Sequence, residues 1–247
     1  MNMERFRDEL SRWIQEKVLA AGARGTVVGI SGGVDSAVVA ALCQRAFPET
    51  NLGVILPCDS EALDVQYARL LAERIGVRTV TIDLTETWRN LVALVETAAS
   101  DAPAETIRWA RVNVKPRLRM TVLYQIAARY NYLVVGTENR AEIAVGYSTK
   151  FGDAAADLMP IGNLVKREVR ALAEVLGVPR EIIDRTPTAG LWAGQTDEEE
   201  MGVTYDELDE WLLTGRVAPD VRARLETLHN RSAHKRSMPP LGPEPPR

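Results

Sequence analysis

The chain has 247 residues, of which 46% are apolar, 26% charged and 6% aromatic, an ordinary composition for a globular protein. Its formal net charge of −4 provides no large basic field, so the charge argues against a nucleic-acid partner. Cys43 and Cys58 form neither a metal-binding spacing nor a disulfide framework. No apolar stretch reaches the roughly 20 residues of a membrane helix, and the charged N-terminus lacks a signal-peptide core. These features predict a soluble cytoplasmic protein.

Helical and strand patterns alternate along the first half of the chain. Strands are predicted at 26–30, 51–57, 78–84 and 132–137, and helices at 4–22, 34–47, 61–76, 87–100 and 113–131. This alternation implies parallel pairing, so we predict an α/β fold with a doubly wound, mainly parallel sheet flanked by helices. We predict one domain over residues 1–236 and a proline-rich C-terminal tail over residues 237–247.

Three loops are expected at one edge of this sheet. They read SGGVDS after the first strand, PCDS after the second and GTENRAE after the fourth. Ligands of doubly wound sheets bind beyond the carboxyl ends of the strands, near the point where the strand order reverses. The first and third loops carry carboxylates, hydroxyls and glycines, and they are the best candidates for a site.

The loop Ser31–Ser36 has the composition of a phosphate-binding turn with one unexpected carboxylate. It is neither a Walker A loop nor the Gly-x-Gly-x-x-Gly dinucleotide fingerprint. Gly32 and Gly33 permit close backbone approach, and the following helix offers unpaired N–H groups to an anion. Asp35 fits there if a cation lies between it and the phosphates, since magnesium accepts carboxylate and phosphate oxygens together. A plain strand-to-helix turn is the alternative interpretation, but the complete motif favours phosphate binding.

SGGVDS resembles the pyrophosphate-binding loop of the N-type ATP pyrophosphatases, which cleave ATP between the α and β phosphates and form adenylates. The loop alone does not choose among NAD, GMP and asparagine synthetases or tRNA-modifying relatives. Further segments are similar to the NAD synthetase family, in order over most of the chain: NVKPRLRM, VVGTENRAE, GYSTKFGDAAADLMPIGNLVK, TPTAGLWAGQTDEEEMGVTYDELD and SAHKRSMPP. This resemblance implies a Rossmann-like fold of the adenine nucleotide alpha hydrolase type.

The resemblance implies an ammonia-dependent ligase that forms a carbon–nitrogen bond. Such an enzyme joins ammonia to deamido-NAD at the expense of ATP, with magnesium as cofactor, and releases AMP and pyrophosphate. The nicotinate carboxylate is a poor acyl donor because its leaving group would be oxide, whereas AMP leaves readily from an acyl-adenylate. Only one predicted helix precedes the first strand, where glutamine-dependent members carry a glutaminase domain. We therefore expect free ammonia or a separate ammonia-supplying protein, and a homodimer as in the family.

The resemblance also implies roles for individual residues. The predicted ATP-binding residues are Gly29, Ile30, Ser31, Gly32, Gly33, Val34, Asp35, Ser36, Thr137, Lys166 and Thr188. The predicted deamido-NAD contacts are Arg117, Lys150, Asp157, His234 and Lys235. Asp35 and Glu142 are the predicted magnesium ligands, and together with Lys166 they are the predicted catalytic residues.

The sequence departs from the common family pattern at several positions. Many bacterial members read GTDHAAE, where this chain has Asn139 and Arg140 in place of His and Ala. Gly190 stands where an aspartate is common, and Pro116 interrupts the usual Lys-Ala-Arg. Two other functions stay open at this point: another amide ligase of the same superfamily, such as a GMP synthetase, and a nucleotide-binding module without catalysis. Paired metal carboxylates and a polar substrate loop argue against the module, because a sensor needs neither.

Overall fold

The computed structural model describes residues 2–192 and 194–245, and its centre is one parallel sheet. Within that part of the chain the strands are β1 (Gly25–Gly29), β2 (Asn51–Ile55), β3 (Thr79–Thr81) and β4 (Tyr132–Val135). They lie in the order β3-β2-β1-β4, and Val27 pairs with Leu52 on one side and Val134 on the other. The predicted parallel, doubly wound sheet is confirmed.

Helices connect and cover the strands. Across the described ranges they are α1 (Met3–Ala20), α2 (Val34–Ala46), α3 (Ala62–Ile75), α4 (Thr85–Ala98), α5 (Ala104–Val112), α6 (Val114–Tyr130), α7 (Arg140–Val145), α8 (Lys166–Val175), α9 (Arg180–Ile183), α10 (Asp197–Met201), α11 (Tyr205–Thr214) and α12 (Pro219–Arg231), with a 3₁₀ turn at Ala233–Lys235. The helices predicted before the fourth strand are present. Gly76 ends α3 in the left-handed conformation that favours glycine.

β3 is shorter than its sequence pattern suggests. The pattern predicts a strand over 78–84, but the observed strand ends at Thr81. It lies at the edge of the sheet, where only β2 pairs with it. Asp83 instead accepts a hydrogen bond from the Thr85 amide at 2.8 Å, so the end of the predicted strand is used to start α4.

Two apolar layers sandwich the sheet. Side chains alternate along β1, so that Val28 packs with α1, α2 and α8 while Val27 packs with α4 and α6 on the opposite face. Helix α2 contacts α1, α3, α8 and β1, which explains why its sequence is apolar nearly all round. The predicted core helix at this position is confirmed.

The route of the chain positions a site between β1 and β4. From β1 the chain moves through β2 to β3, and it then returns to add β4 on the other side of β1. The loops after β1 and β4 therefore separate at the carboxyl end of the sheet and leave a crevice between them. These are the two loops that carry Asp35 and Glu142.

Residues 237–245 are exposed and contain no helix or strand. The predicted tail also includes residues 246–247, which lie outside the described residues. The division into one domain and a tail stays a prediction. Among the described helices, none combines the length and the apolarity that crossing a membrane requires.

Candidate active site

A cleft of about 470 Å³ opens at the carboxyl end of the sheet, between the loops that follow β1, β2 and β4. Segments around residues 146–155 and 185–191 close its sides. Most of the predicted ATP-binding residues line this cleft: Gly29, Ile30, Ser31, Gly33, Val34, Asp35, Ser36, Thr137, Lys166 and Thr188. Its size and mixed lining are typical of a nucleotide-sized ligand site.

The loop after β1 has the geometry of an anion cradle. Gly32 adopts a φ of +87°, and a Cβ added there would lie 2.5 Å from the carbonyl oxygen of Asp64, so glycine is required. Ser36 braces the loop by donating to the Gly33 carbonyl at 2.9 Å and accepting from the Ser31 amide at 3.2 Å. Among the residues that the structure describes, no side chain caps the start of α2 at Gly33. Its first amide groups are therefore available to a phosphate.

The three side chains predicted to be catalytic meet beside this cradle. The Lys166 ammonium lies 2.6 Å from Oδ2 of Asp35 and 3.5 Å from Oε1 of Glu142. Lys166 is 2% exposed, although it comes from a helix 131 residues beyond Asp35. The fold thus brings a cation and two carboxylates from the first turns of three helices, α2, α7 and α8, to one point.

Asn139 connects the two carboxylates to each other. Its Nδ2 donates to Oδ1 of Asp35 at 2.9 Å, and its Oδ1 accepts from the amide of Glu142 at 3.0 Å. The Asn139 amide in turn donates to Oε2 of Glu142 at 3.2 Å, which completes a capping box at the start of α7. Asn139, which differs from the common family pattern, therefore orients Asp35 and Glu142 together. Arg140 points elsewhere and donates to the Leu212 carbonyl at 3.1 Å, which ties α7 to α11.

The charges in this cluster are unbalanced. Burial and the nearby Asp35 carboxylate raise the pKa of Glu142 to about 8, and Lys166 only partly opposes them. Burial opposes the positive charge of Lys166, but Asp35 and Glu142 outweigh it and raise the pKa of the lysine. Asp197 adds a further carboxylate whose pKa burial raises and Lys166 lowers. Fully ionised, the cluster would hold more negative charge than one lysine neutralises, so it favours either a proton on Glu142 or an additional cation.

Comparison with known proteins identifies the family. A model of the NAD synthase family matches residues 6–239. The chain belongs to the NAD synthase family. An NH(3)-dependent NAD(+) synthetase of Carboxydothermus hydrogenoformans is 46% identical over 97% of each chain.

Solved structures agree with this assignment. A structure described as NMN synthetase from Francisella tularensis has a TM-score of 0.91 at 38% identity and covers 98% of this chain and 99% of its own. An NH3-dependent NAD synthetase from Campylobacter jejuni has a TM-score of 0.77 at 29% identity and covers 98% of this chain and 100% of its own. The predicted Rossmann-like fold of the adenine nucleotide alpha hydrolase type is confirmed.

The residues predicted to contact deamido-NAD do not all reach the cleft. Lys235 lines it and donates to the carbonyl groups of Gly146 and Ser148 at 2.7 and 2.6 Å. Arg117, Lys150 and His234 form a neighbouring group outside the lining, in which Lys150 donates to the His234 carbonyl and Arg117 to the Lys150 carbonyl. These three residues form a second polar patch along one side of the cleft mouth.

Asp157 lies apart from that patch. Its Oδ2 accepts from the amide of Val134 at 2.8 Å, and its Oδ1 accepts from the hydroxyl of Tyr124 at 3.3 Å. Within the described chain Asp157 therefore supports the end of β4 and is absent from the cleft lining. Its predicted contact with deamido-NAD stays a prediction.

A polar network at the floor of the cleft has no counterpart in the sequence prediction. The Tyr205 hydroxyl lies 2.9 Å from Asp197 and 3.3 Å from Glu142. Gln195 donates to Glu200 at 2.6 Å, and Tyr147 donates to the same carboxylate at 2.8 Å. The only sequence signal is the run Gln-Thr-Asp-Glu-Glu-Glu, whose composition is typical of a solvated helix start. In the structure, however, Asp197 is buried at 4% exposure.

The segment 185–191 is held over the cleft by two cationic side chains. Lys115, 2% exposed, donates to the Leu191 carbonyl at 2.9 Å and lies 3.3 Å from Asp59. Arg185 pairs with Asp64 at 2.6 Å. Gly190, where an aspartate is common in the family, has a φ of +61°, and its Cβ would lie 3.6 Å from Oδ2 of Asp64. A carboxylate at 190 would face the Asp64 carboxylate, so the glycine avoids repulsion at this point.

Proposed function

We propose that this chain is an ammonia-dependent NAD synthetase. In the proposed reaction, ATP adenylates the nicotinate carboxylate of deamido-NAD, and ammonia then displaces AMP to give NAD. The observation that carries the proposal is the meeting of Asp35, Glu142 and Lys166 beside an uncapped helix start. This arrangement suits a reaction that builds negative charge on pyrophosphate. The names of the relatives, which cover nearly the whole chain, supply the acceptor.

Magnesium fits the cluster as the cofactor. Mg²⁺ takes one or two protein carboxylates together with phosphate oxygens and water. Asp35 and Glu142 provide two carboxylates, and both already pair with one cation, the Lys166 ammonium. The pKa of Glu142 is raised to about 8 by burial and by Asp35, so a further cation beside it would favour the ionised form of Glu142. When bound, Mg²⁺ would neutralise charge on the phosphates.

The chain's own groups have separate roles in the first step. The amide groups at the start of α2 and the hydroxyl of Ser31 bind the departing pyrophosphate, and Ser36 braces their loop. Lys166 adds a point charge that follows the phosphate oxygens as their negative charge grows. Asp35 and Glu142 would hold the cofactor, and they stabilise the charged form of Lys166. The step requires no acid–base pair, because the carboxylate substrate already carries its nucleophilic oxygen.

We further propose that the patch of Arg117, Lys150 and His234, together with Lys235, binds the dinucleotide. These groups lie along one side of the cleft mouth and connect through hydrogen bonds. The positive charge of Arg117, Lys150 and Lys235 suits the pyrophosphate of deamido-NAD. Thr137 and Thr188 line the cleft and are proposed ATP contacts. The assignment of Asp157 rests on the family resemblance alone.

The test is product formation by the purified chain. With ATP, Mg²⁺, ammonium and deamido-NAD, equal amounts of AMP and NAD should appear, and Asp35→Asn should abolish both. Glutamine in place of ammonium should give no turnover. ATP binding without AMP release would favour a non-catalytic nucleotide-binding module. Turnover with xanthosine monophosphate, and none with deamido-NAD, would favour a GMP synthetase.

A second candidate function is NMN synthesis by the same chemistry. The observation that favours it is the TM-score of 0.91 to a protein described as an NMN synthetase. Both acceptors present the same nicotinate carboxylate, and they differ by the adenylate half of the dinucleotide. The ratio of kcat/KM for deamido-NAD to that for nicotinate mononucleotide decides between them. A ratio above one supports the main proposal, and a ratio below one supports NMN synthesis.

We also propose that the chain is a homodimer in the cytoplasm. Helix α4 has no buried residue, and it exposes Leu91, Leu94 and Val95 at 39%, 70% and 56%. Contiguous apolar surface of this kind marks an interaction site more often than an idle surface. The location stays a prediction from the sequence.

A further inference from the structure

The helix that carries Lys166 begins without a capping side chain of its own. Val165 occupies the N-cap position of α8, and its apolar side chain cannot accept a hydrogen bond. Glu168 accepts only from the amide of Val165, at 3.0 Å. The next two amide groups, those of Lys166 and Arg167, therefore need an acceptor from another element.

Asp209 of α11 is that acceptor. Its Oδ1 accepts from the Lys166 amide at 3.0 Å, and its Oδ2 accepts from the Arg167 amide at 2.8 Å. Asp209 is fully buried, and the Arg167 side chain lies 3.4 Å from it as a partial counter-charge. Two bonds from one carboxylate fix the start of α8 in position and rotation. The negative charge also complements the positive end of the helix dipole.

Helix α11 also contacts the ammonium end of the Lys166 side chain. Tyr205 precedes Asp209 by one turn of α11, so the two side chains share a face. The Lys166 ammonium lies 4.5 Å from the centre of the Tyr205 ring. Helix α11 thus holds the lysine at its backbone through Asp209 and at its charge through the ring face.

We propose that Asp209 is a positioning residue that sets the place of Lys166 in the cleft. This inference rests on the proposed function, in which Lys166 stabilises charge on the phosphates. Such stabilisation depends on a preorganised position, so a small shift of the α8 start lowers catalysis without touching the substrate. Asp209 itself does not line the cleft, and within the described chain it makes no hydrogen bond to Asp35 or Glu142.

Asp209→Asn tests the proposal because it keeps the volume and removes one of the two acceptor oxygens. Its kcat should fall roughly tenfold, with little change in KM for ATP. Glu210→Gln is the matched control, since Glu210 is the next residue of α11 and contacts only side chains, Arg167 at 3.5 Å and Thr214. It should keep the wild-type kcat. If Asp209→Asn does not fold, Asp209→Glu, which keeps both oxygens but displaces them, takes its place.

A double-mutant cycle separates positioning from general destabilisation. In a Lys166→Ala background, Asp209→Asn should cause no further loss of kcat, because the group it positions is absent. An equal loss in both backgrounds would overturn the proposal, and so would wild-type kcat in Lys166→Ala. Wild-type protein that forms neither AMP nor NAD would instead contradict the proposed function. The two failures are therefore distinguishable.

Discussion

At the scale of single residues, Asn139 orients Asp35 and Glu142, the two carboxylates proposed to bind magnesium. It donates to Asp35 through Nδ2 and caps α7 through Oδ1, so each end of the amide has a separate task. Asn139→Asp keeps the cap, because aspartate is an equally good N-cap, but it replaces the donor with a charge facing Asp35. We expect kcat to fall at least about tenfold. We also expect a weaker rise in melting temperature on adding Mg²⁺ with ATP.

The control for that prediction is Asn139→Ser, which retains a capping oxygen and adds no charge. The decrease in kcat caused by Asn139→Ser should be smaller than the decrease caused by Asn139→Asp. If the two variants lost the same activity, capping of α7 would be the dominant role of Asn139, and the contact with Asp35 would be secondary.

The buried carboxyl group of Glu138 should make the folding stability of the protein depend on pH. Burial raises its pKa from 4.5 to about 7, the Ser148 hydrogen bond opposes the shift, and Asp153 adds to it. Because the folded pKa lies above the unfolded one, the stability Glu138 contributes is complete below pH 4.5 and is lost as the pH rises through 7. Glu138→Gln removes this loss, so the variant should gain up to about 3 kcal/mol on the wild type between pH 5 and 8. Urea unfolding at both pH values measures it.

The exposed carboxylate of Glu226 offers a control for this experiment. Glu226→Gln should give a pH profile of stability parallel to that of the wild type. Parallel profiles for Glu138→Gln and the wild type would contradict the burial argument. Glu138 has one oxygen without a hydrogen-bond partner among the described residues. This geometry explains why the ionised form of Glu138 destabilises the fold.

At the scale of elements, the sequence predicts those helices and strands whose pattern lies within their own residues. Helix α2 is a long apolar run after a glycine turn, and Gly76 marks the end of α3 directly. The short helices α7, α9 and α10 have too few turns for a clear period, so their existence is set by tertiary contacts. Resemblance alone supplied Lys166, because its segment has no local signal of chemistry. Asp197 and Asn139 were missed, since only the fold shows that they are buried beside Glu142.

The hydrogen bonds of Lys115 indicate how the segment 185–191 is held. Lys115→Met keeps the apolar stem and removes the ammonium, which lies over the Trp88 ring and donates to Leu191 and Asp59. Stability should change little, because removing a buried charge offsets the lost bonds. KM for ATP should rise roughly tenfold, since a bond to a charged donor contributes about 1.5–3 kcal/mol. Amide hydrogen exchange of a peptide covering 186–191 should become faster.

Arg111→Met serves as the control for this loop prediction. It breaks the pair between Arg111 and Glu96, which joins α5 to α4 without contacting Leu191. Its KM for ATP and its exchange in 186–191 should match the wild type. Unchanged exchange in Lys115→Met would show that the loop is held by Trp192 against Trp109 and Arg108 instead.

At the scale of the whole molecule, α4 carries the apolar face that is proposed as the dimer interface. It packs mainly on α6, and its outer face exposes three large apolar side chains that no described element covers. Burying a leucine in an interface contributes about 1.5–3 kcal/mol, so Leu94→Asp should shift the protein from dimer to monomer in sedimentation velocity. Leu70→Asp, on α3 at 37% exposure, is the matched control and should leave the dimer intact. A wild-type monomer, or a Leu94→Asp dimer, would exclude this face as the interface. If the monomer forms and loses activity, the polar patch of Arg117, Lys150 and His234 outside the cleft lining becomes the part of the site that a second copy completes.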